Sequence, residues 1–69
     1  MDLCKVGDFV VVNNFRRGII KCPIIYVGKH FIIAKSKFYN LTINIIGNDK
    51  FNTYIDGLND FLEIKKKGE

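Results

Sequence analysis

The chain has no tryptophan, one histidine, one proline and two cysteines among its 69 residues, and each scarcity closes a route to function. A zinc site of four Cys and His ligands needs more than Cys4, Cys22 and His30 supply. No metal or other cofactor is therefore expected, and nothing in the spacing of Cys4 and Cys22 says whether they pair. No apolar stretch approaches the roughly 18–20 residues of a membrane span. The opening Met1-Asp2-Leu3-Cys4-Lys5 lacks the positive flank and apolar run of a secretory leader, so a cytoplasmic chain with no membrane partner is expected. Helical periodicity is missing as well: no segment keeps an apolar 3.6 spacing long enough for a stable helix.

What is present in quantity is apolar and basic. A domain of this size buries only about 60% of the surface that its unfolded chain exposes, and such a core rarely supplies more than about 3–5 kcal/mol. Apolar residues make up 48% of the chain, more than a small barrel can enclose. The surplus is expected on the surface or under a second chain, so self-association is one outlet. Eleven Lys and Arg stand against seven Asp and Glu, a net charge of +4, which leans toward phosphate-rich or acidic partners. The abundance of Ile, Lys and Asn also fits codon bias in an A+T-rich genome.

The pattern along the chain is one of short strands. Lys5-Val6-Gly7-Asp8 reads as a turn and Phe9-Val10-Val11-Val12 as a strand buried on both faces. Ile19 to Val27 is the next strand. Pro23 lies within it, and because proline offers no N–H to a ladder, an edge or a bulge is required there. Ile20, Cys22 and Ile24 share one face, which suits a strand bending from one sheet into another. Gly28-Lys29 signals a two-residue type II′ hairpin, and His30 to Lys35 returns from it. Leu41, Ile43 and Ile45 alternate with Thr42 and Asn44, one face in and one out. Gly47 to Lys50 is a turn, Phe51 to Ile55 a strand, Leu58 to Phe61 a single helical turn, and Leu62 to Lys65 a last strand. Residues 65–69 are expected as a frayed basic tail. The whole reads as one all-β domain, a small barrel of five or six short antiparallel strands with one short helical turn before the last.

The opening Lys5-Val6-Gly7-Asp8-Phe9-Val10-Val11-Val12, followed by Gly18-Ile19-Ile20, resembles the start of SH3-like small barrels of the KOW and Tudor type. Those begin on a K-x-G-D-x-V-x-V strand and pass through G-x-I/V into a long bent second strand. Leu58 to Phe61 leading into Leu62-Glu63-Ile64 is similar to the short helical turn before their final strand. The resemblance implies an SH3-like fold and no particular activity. Size and composition also look like those of small orphan proteins of phages and mobile elements.

Catalytic chemistry finds no constellation. His30 stands beside a turn with no Ser or Cys at a motif spacing, Cys22 lies on an apolar strand, and Asp8, Asp49, Asp56 and Asp60 fall in or beside turns, where Asp bonds nearby backbone. The protein is expected not to be an enzyme. Binding features are richer. Phe15-Arg16-Arg17 places an aromatic beside two guanidiniums that take phosphate or carboxylate bidentately. Lys35, Lys37 and Tyr39, if extended, share one face that continues from Lys29 and His30. These eight residues are the candidate binding set. Three roles follow. The favoured one is a protein-interaction module, such as a phage-type inhibitor docking on a host defence or nucleic-acid-processing complex through the loop arginines, Phe38 and Tyr54. The second is nucleic-acid binding, with Arg16, Arg17, Lys35 and Lys37 on phosphates and Phe15 or Tyr39 stacked on bases. The third is a homo-oligomer enclosing a small phosphorylated ligand between arginine-lined subunits.

Overall fold

The computed structural model describes residues 3–48 and 50–68; Asp49, one of the turn carboxylates, lies outside them. Among the described residues five antiparallel strands form a single curled half-barrel without helices: β1 (Phe9–Asn14), β2 (Gly18–Val27), β3 (Phe31–Lys35), β4 (Asn40–Asn44) and β5 (Asn59–Lys65). Their order across the sheet is β4-β3-β2-β1-β5, so the last strand lies beside the first. Alternation places the core. Leu41 and Ile43 point inward from β4 and are buried, while Asn40, Thr42 and Asn44 are exposed. Val10 and Val12 of β1, Cys22 and Ile24 of β2, and Ile32 and Ala34 of β3 complete the apolar interior, joined by Cys4. Val11 is buried too, so β1 is covered on both faces, as its unbroken β-branched run requires. Each fully buried Ile or Leu contributes about 1.5–3 kcal/mol, and Ile24, Ile32, Leu41 and Ile43 form the centre of this packing.

The long strand β2 changes partners at its proline. Phe9 opposite Pro23 is the last pair with β1, and Ile24 opposite Ala34 is the first with β3. The residue without an N–H thus stands at the hand-over, where a continuous ladder would otherwise need one. The register then slips between Ile24 and Tyr26, and the bulge increases local twist and curls the sheet.

Four expectations change. The helical turn at Leu58 to Phe61 is absent, because β5 already begins at Asn59. The Asp56 carboxylate accepts from the amides of Leu58 at 2.7 Å and Asn59 at 2.8 Å, which fixes a bend that leads straight into the strand. Phe51 to Ile55 is not a full strand. Phe51 bridges Ile45, just past β4, the Asn52 amide donates to the Asn44 carbonyl of β4 at 2.8 Å, and Tyr54 bridges Asp60 of β5, while Asn52 Oδ1 accepts from the Tyr54 amide at 2.9 Å in competition with ladder pairing. This segment spans the seam between the two outermost strands, and the Phe51 and Phe61 rings meet there at 5.3 Å. The β2–β3 connection is not a type II′ turn either, since Gly28 does not have a positive φ. It runs Gly28-Lys29-His30 and closes through Gly28 N–H to the Phe31 carbonyl at 2.8 Å. Glycine is needed there for room: a Cβ would lie 2.9 Å from Tyr26 Cε2 and 3.0 Å from the Phe31 oxygen.

The fourth concerns the C-terminal lysines. Lys65 is in β5, and the chain is tied down through Lys67 by Asp8, a buried carboxylate. Asp8 accepts from the amides of Lys5 and Lys67, each at 2.9 Å, and Lys66 Nζ lies 3.6 Å away. Lys66 also donates to the Leu3 carbonyl at 2.6 Å. Gly7, with φ +103°, supplies the tight turn that aims Asp8 at these partners. The opening motif therefore joins both ends of the described chain.

Candidate functional site

Three connections meet at one end of the half-barrel: the β1–β2 turn (Phe15, Arg16, Arg17), the β3–β4 turn (Ser36 to Tyr39) and the loop leading into β5. A buried polar network holds them together. Asn59, 1% exposed, accepts from Asn14 Nδ2 at 2.8 Å through its oxygen. Its own amide nitrogen donates to the Tyr39 hydroxyl at 2.7 Å and to both Asp56 oxygens at 3.2 and 3.3 Å. Asn14 Oδ1 in turn accepts from the amides of Arg16 and Arg17, each at 3.0 Å, and the Phe15 amide donates to the Leu58 carbonyl at 2.9 Å. Among the described residues no buried side-chain polar atom lacks a partner. A fully satisfied network in a low-dielectric interior rigidifies what it joins.

On this scaffold stands a basic and aromatic surface. Phe38 is 67% exposed, with the Arg17 guanidinium 4.5 Å from its ring centroid and Lys37 Nζ 5.5 Å away. Phe15, 63% exposed, and Leu58 flank the same end. Along the outer face, Tyr54, Asp60, Asn13 and Ile19 form one cross-strand row, of which Tyr54 and Ile19 are well exposed. Part of the apolar surplus expected from composition thus lies around this end.

The candidate residues divide between the two ends of the molecule. Phe15, Arg16, Arg17, Lys37 and Tyr39 are gathered at the end just described. Lys35, at the end of β3 and opposite Asn40, lies next to it. Lys29 and His30 stand in the β2–β3 connection, at the other end of β3. With about 3.3 Å per strand residue, the five residues of β3 put roughly 17 Å between the groups. The extended track of Lys35, Lys37 and Tyr39 does not form, because Ser36 to Tyr39 is a tight turn. Its Ser36 amide donates to the Tyr39 carbonyl at 2.9 Å, and the Ser36 hydroxyl donates to the same oxygen. Tyr39 is turned toward Asn59 instead of along a strand face.

The surface carries a hollow at each end of β3. One, about 280 Å³, lies at the Lys29 end against Leu3, Cys4, Val27 and Ile45. The other, at the Arg17 end beside Phe38 and Ile20, holds only about 30 Å³, far below the ~300 Å³ of an ordinary small-molecule pocket. The hollow that Arg17 lines among the described residues is thus not of ligand size. Among the described residues no three His, Cys, Asp or Glu side chains converge. Cys4 and Cys22 are both buried thiols in no disulfide, and burial raises the Cys22 pKa above its ordinary value. Among the described residues no helix is long and apolar enough to cross a membrane.

Sequence reasoning singled out the loop arginines, Lys37 and Tyr39 as candidates but gave no sign of the network beneath them. Asp56-Gly57-Leu58-Asn59 carries a local signal, an Asx turn. The Asn14–Asn59 bond spans 45 positions, so no local pattern reveals it. Searches against protein-family models, curated proteins and solved structures returned no match to this chain.

Proposed function

We propose that this protein is a non-catalytic protein-interaction module whose contact surface is the end built from Phe15, Arg16, Arg17, Lys37 and Phe38. The observation that carries the reading is the exposed Phe38 ring under the Arg17 guanidinium, on loops held by a buried network. Arg and aromatic residues dominate interface hot spots, and a contact surface held rigid before binding loses less entropy on association. The strand order, a four-strand meander with the last strand returning beside the first, supports an SH3-like assignment of the half-barrel. An inhibitor acting on a host complex is the specific form of this role that the composition suggests.

The test is affinity capture from nuclease-treated lysate with the wild type and with Arg17→Ala/Phe38→Ala, both checked for folding by circular dichroism. A protein retained at fixed stoichiometry by the wild type and lost by the variant is the expected result. Equal retention by both removes the assignment of this surface.

A second reading, nucleic-acid binding, has its own observation: among the described residues Arg16, Arg17 and Lys37 form no ion pair. It predicts a mobility shift with mixed-sequence DNA or RNA that weakens steeply with salt and disappears in Arg16→Ala/Arg17→Ala.

A further inference from the structure

We infer that the segment recognised by this end is an acidic peptide stretch carrying an apolar or aromatic side chain beside its carboxylates, an inference that rests on the protein-interaction reading above. Three cations reach this end from two turns, and among the described residues no carboxylate neutralises them. The acid on the third loop, Asp56, is turned inward, where the Leu58 and Asn59 amides and the Asn59 side chain use it. Guanidiniums carried on turns whose backbone is fixed in this way suit an anionic partner, and Arg binds carboxylates in a bidentate fork. A neutral or basic segment would strip water from the same cations and return nothing. Phe38 adds the apolar element. Arg17 and Lys37 lie near its ring, yet most of the side chain stays open to solvent, ready to be covered by an apolar neighbour of the acids. The shallow hollow beside it admits no buried small molecule, so the ligand lies across the surface.

The distribution of charge favours an acidic peptide over a nucleic-acid strand. A strand binder tracks a repeating phosphate backbone along a basic groove. Here Arg16, Arg17 and Lys37 gather at one end instead of along a groove, with Lys29 and His30 at the opposite end of β3, and the Tyr39 hydroxyl is bonded to Asn59.

The experiment is selection of a random linear-peptide display library on the full chain, on Arg16→Gln/Arg17→Gln and on Phe15→Ser/Phe38→Ser. Selected peptides are then measured by fluorescence anisotropy in competition with mixed-sequence single-stranded RNA. Both arginine side chains are exposed, and Asn14 bonds only their backbone amides, so the glutamine variant keeps the scaffold; thermal denaturation verifies this. The expected result is enrichment of Asp and Glu next to an aromatic or aliphatic residue, with affinity falling by about tenfold or more in the glutamine variant. Peptides without acidic bias that bind the wild type and the glutamine variant equally, yet lose binding to Phe15→Ser/Phe38→Ser, overturn the inference while the interaction reading stands. Displacement of acidic peptides by low concentrations of RNA overturns it in favour of nucleic acid. No enrichment on the wild type overturns both.

Discussion

Asn59 shows how much one side chain can organise. Its amide is buried and fully used, accepting from Asn14 and donating to Tyr39 and Asp56. Through these bonds it fixes the turns that carry Arg16, Arg17, Lys37 and Phe38. Asn59→Ala leaves the Asn14 amide hydrogens and the Tyr39 hydroxyl without their protein partner. The abandoned Asn14 amide is buried, at a cost of about 1–3 kcal/mol, while Tyr39 is exposed enough to turn to water, so a loss of about 2 kcal/mol is expected in urea denaturation. Partner affinity should fall further than stability alone explains, because the loops lose their fixed geometry. Asn59 would pass on inspection for an ordinary turn residue; its partners come from three separate stretches of chain.

At the scale of elements, the β2–β3 hairpin is the place where local rules and packing disagree. Gly28-Lys29 is a conventional turn signal, yet Gly28 is required for the space between the Tyr26 ring and the Phe31 carbonyl, and its φ is not positive. The Tyr26 and Phe31 rings, with centroids 5.7 Å apart, close over it. Gly28→Ala forces the aromatic ring or the backbone to shift and is expected to cost about 1–3 kcal/mol, the usual penalty of overpacking. Gly57→Ala is the control: its added methyl meets nothing within 4 Å, and its φ is not positive. The two variants should separate clearly in their denaturation midpoints. Strand existence was legible from β-branched runs and alternation, since Val10 to Val12, Leu41 and Ile43 behave as their patterns require. The stretch from Phe51 to Phe61 was not. There the side chains of Asn52, Asp56 and Asn59 take over backbone amides or enter the core, and a pattern of apolar residues does not register that competition.

For the molecule as a whole, Asp8 is the clasp. It joins the turn at Lys5 to the end of β5 at Lys67, so the first and last described parts of the chain are held by one carboxylate. The amides of Lys67 and Lys5, and then Lys66, hold its pKa below the ordinary 3.8. A carboxyl with a lowered folded pKa binds protons more readily when unfolded. Its stabilisation is therefore complete above about 3.8 and is lost as pH falls through the lowered folded value. The thermal midpoint of the wild type is expected to drop on acidification below pH 4. Asp8→Asn should be less stable at neutral pH and show a flatter acid dependence; parallel curves for the two proteins would show that other groups govern the acid response.

The amino-acid sequence by itself determined the class of architecture: all-β, short strands, a bent second strand marked by Pro23, and a surplus of apolar and basic residues left for the surface. These properties follow from side-chain periodicity and backbone sterics, which act over a few residues. Only the tertiary structure decided which of the basic residues meet. Curling of the sheet carries Arg17 to Phe38 and Asn14 to Asn59, while the length of β3 leaves Lys29 and His30 at the far end. The physical reason is that charges and hydrogen-bond partners converge through strand order and turn geometry, and both are set by packing between segments far apart in the chain.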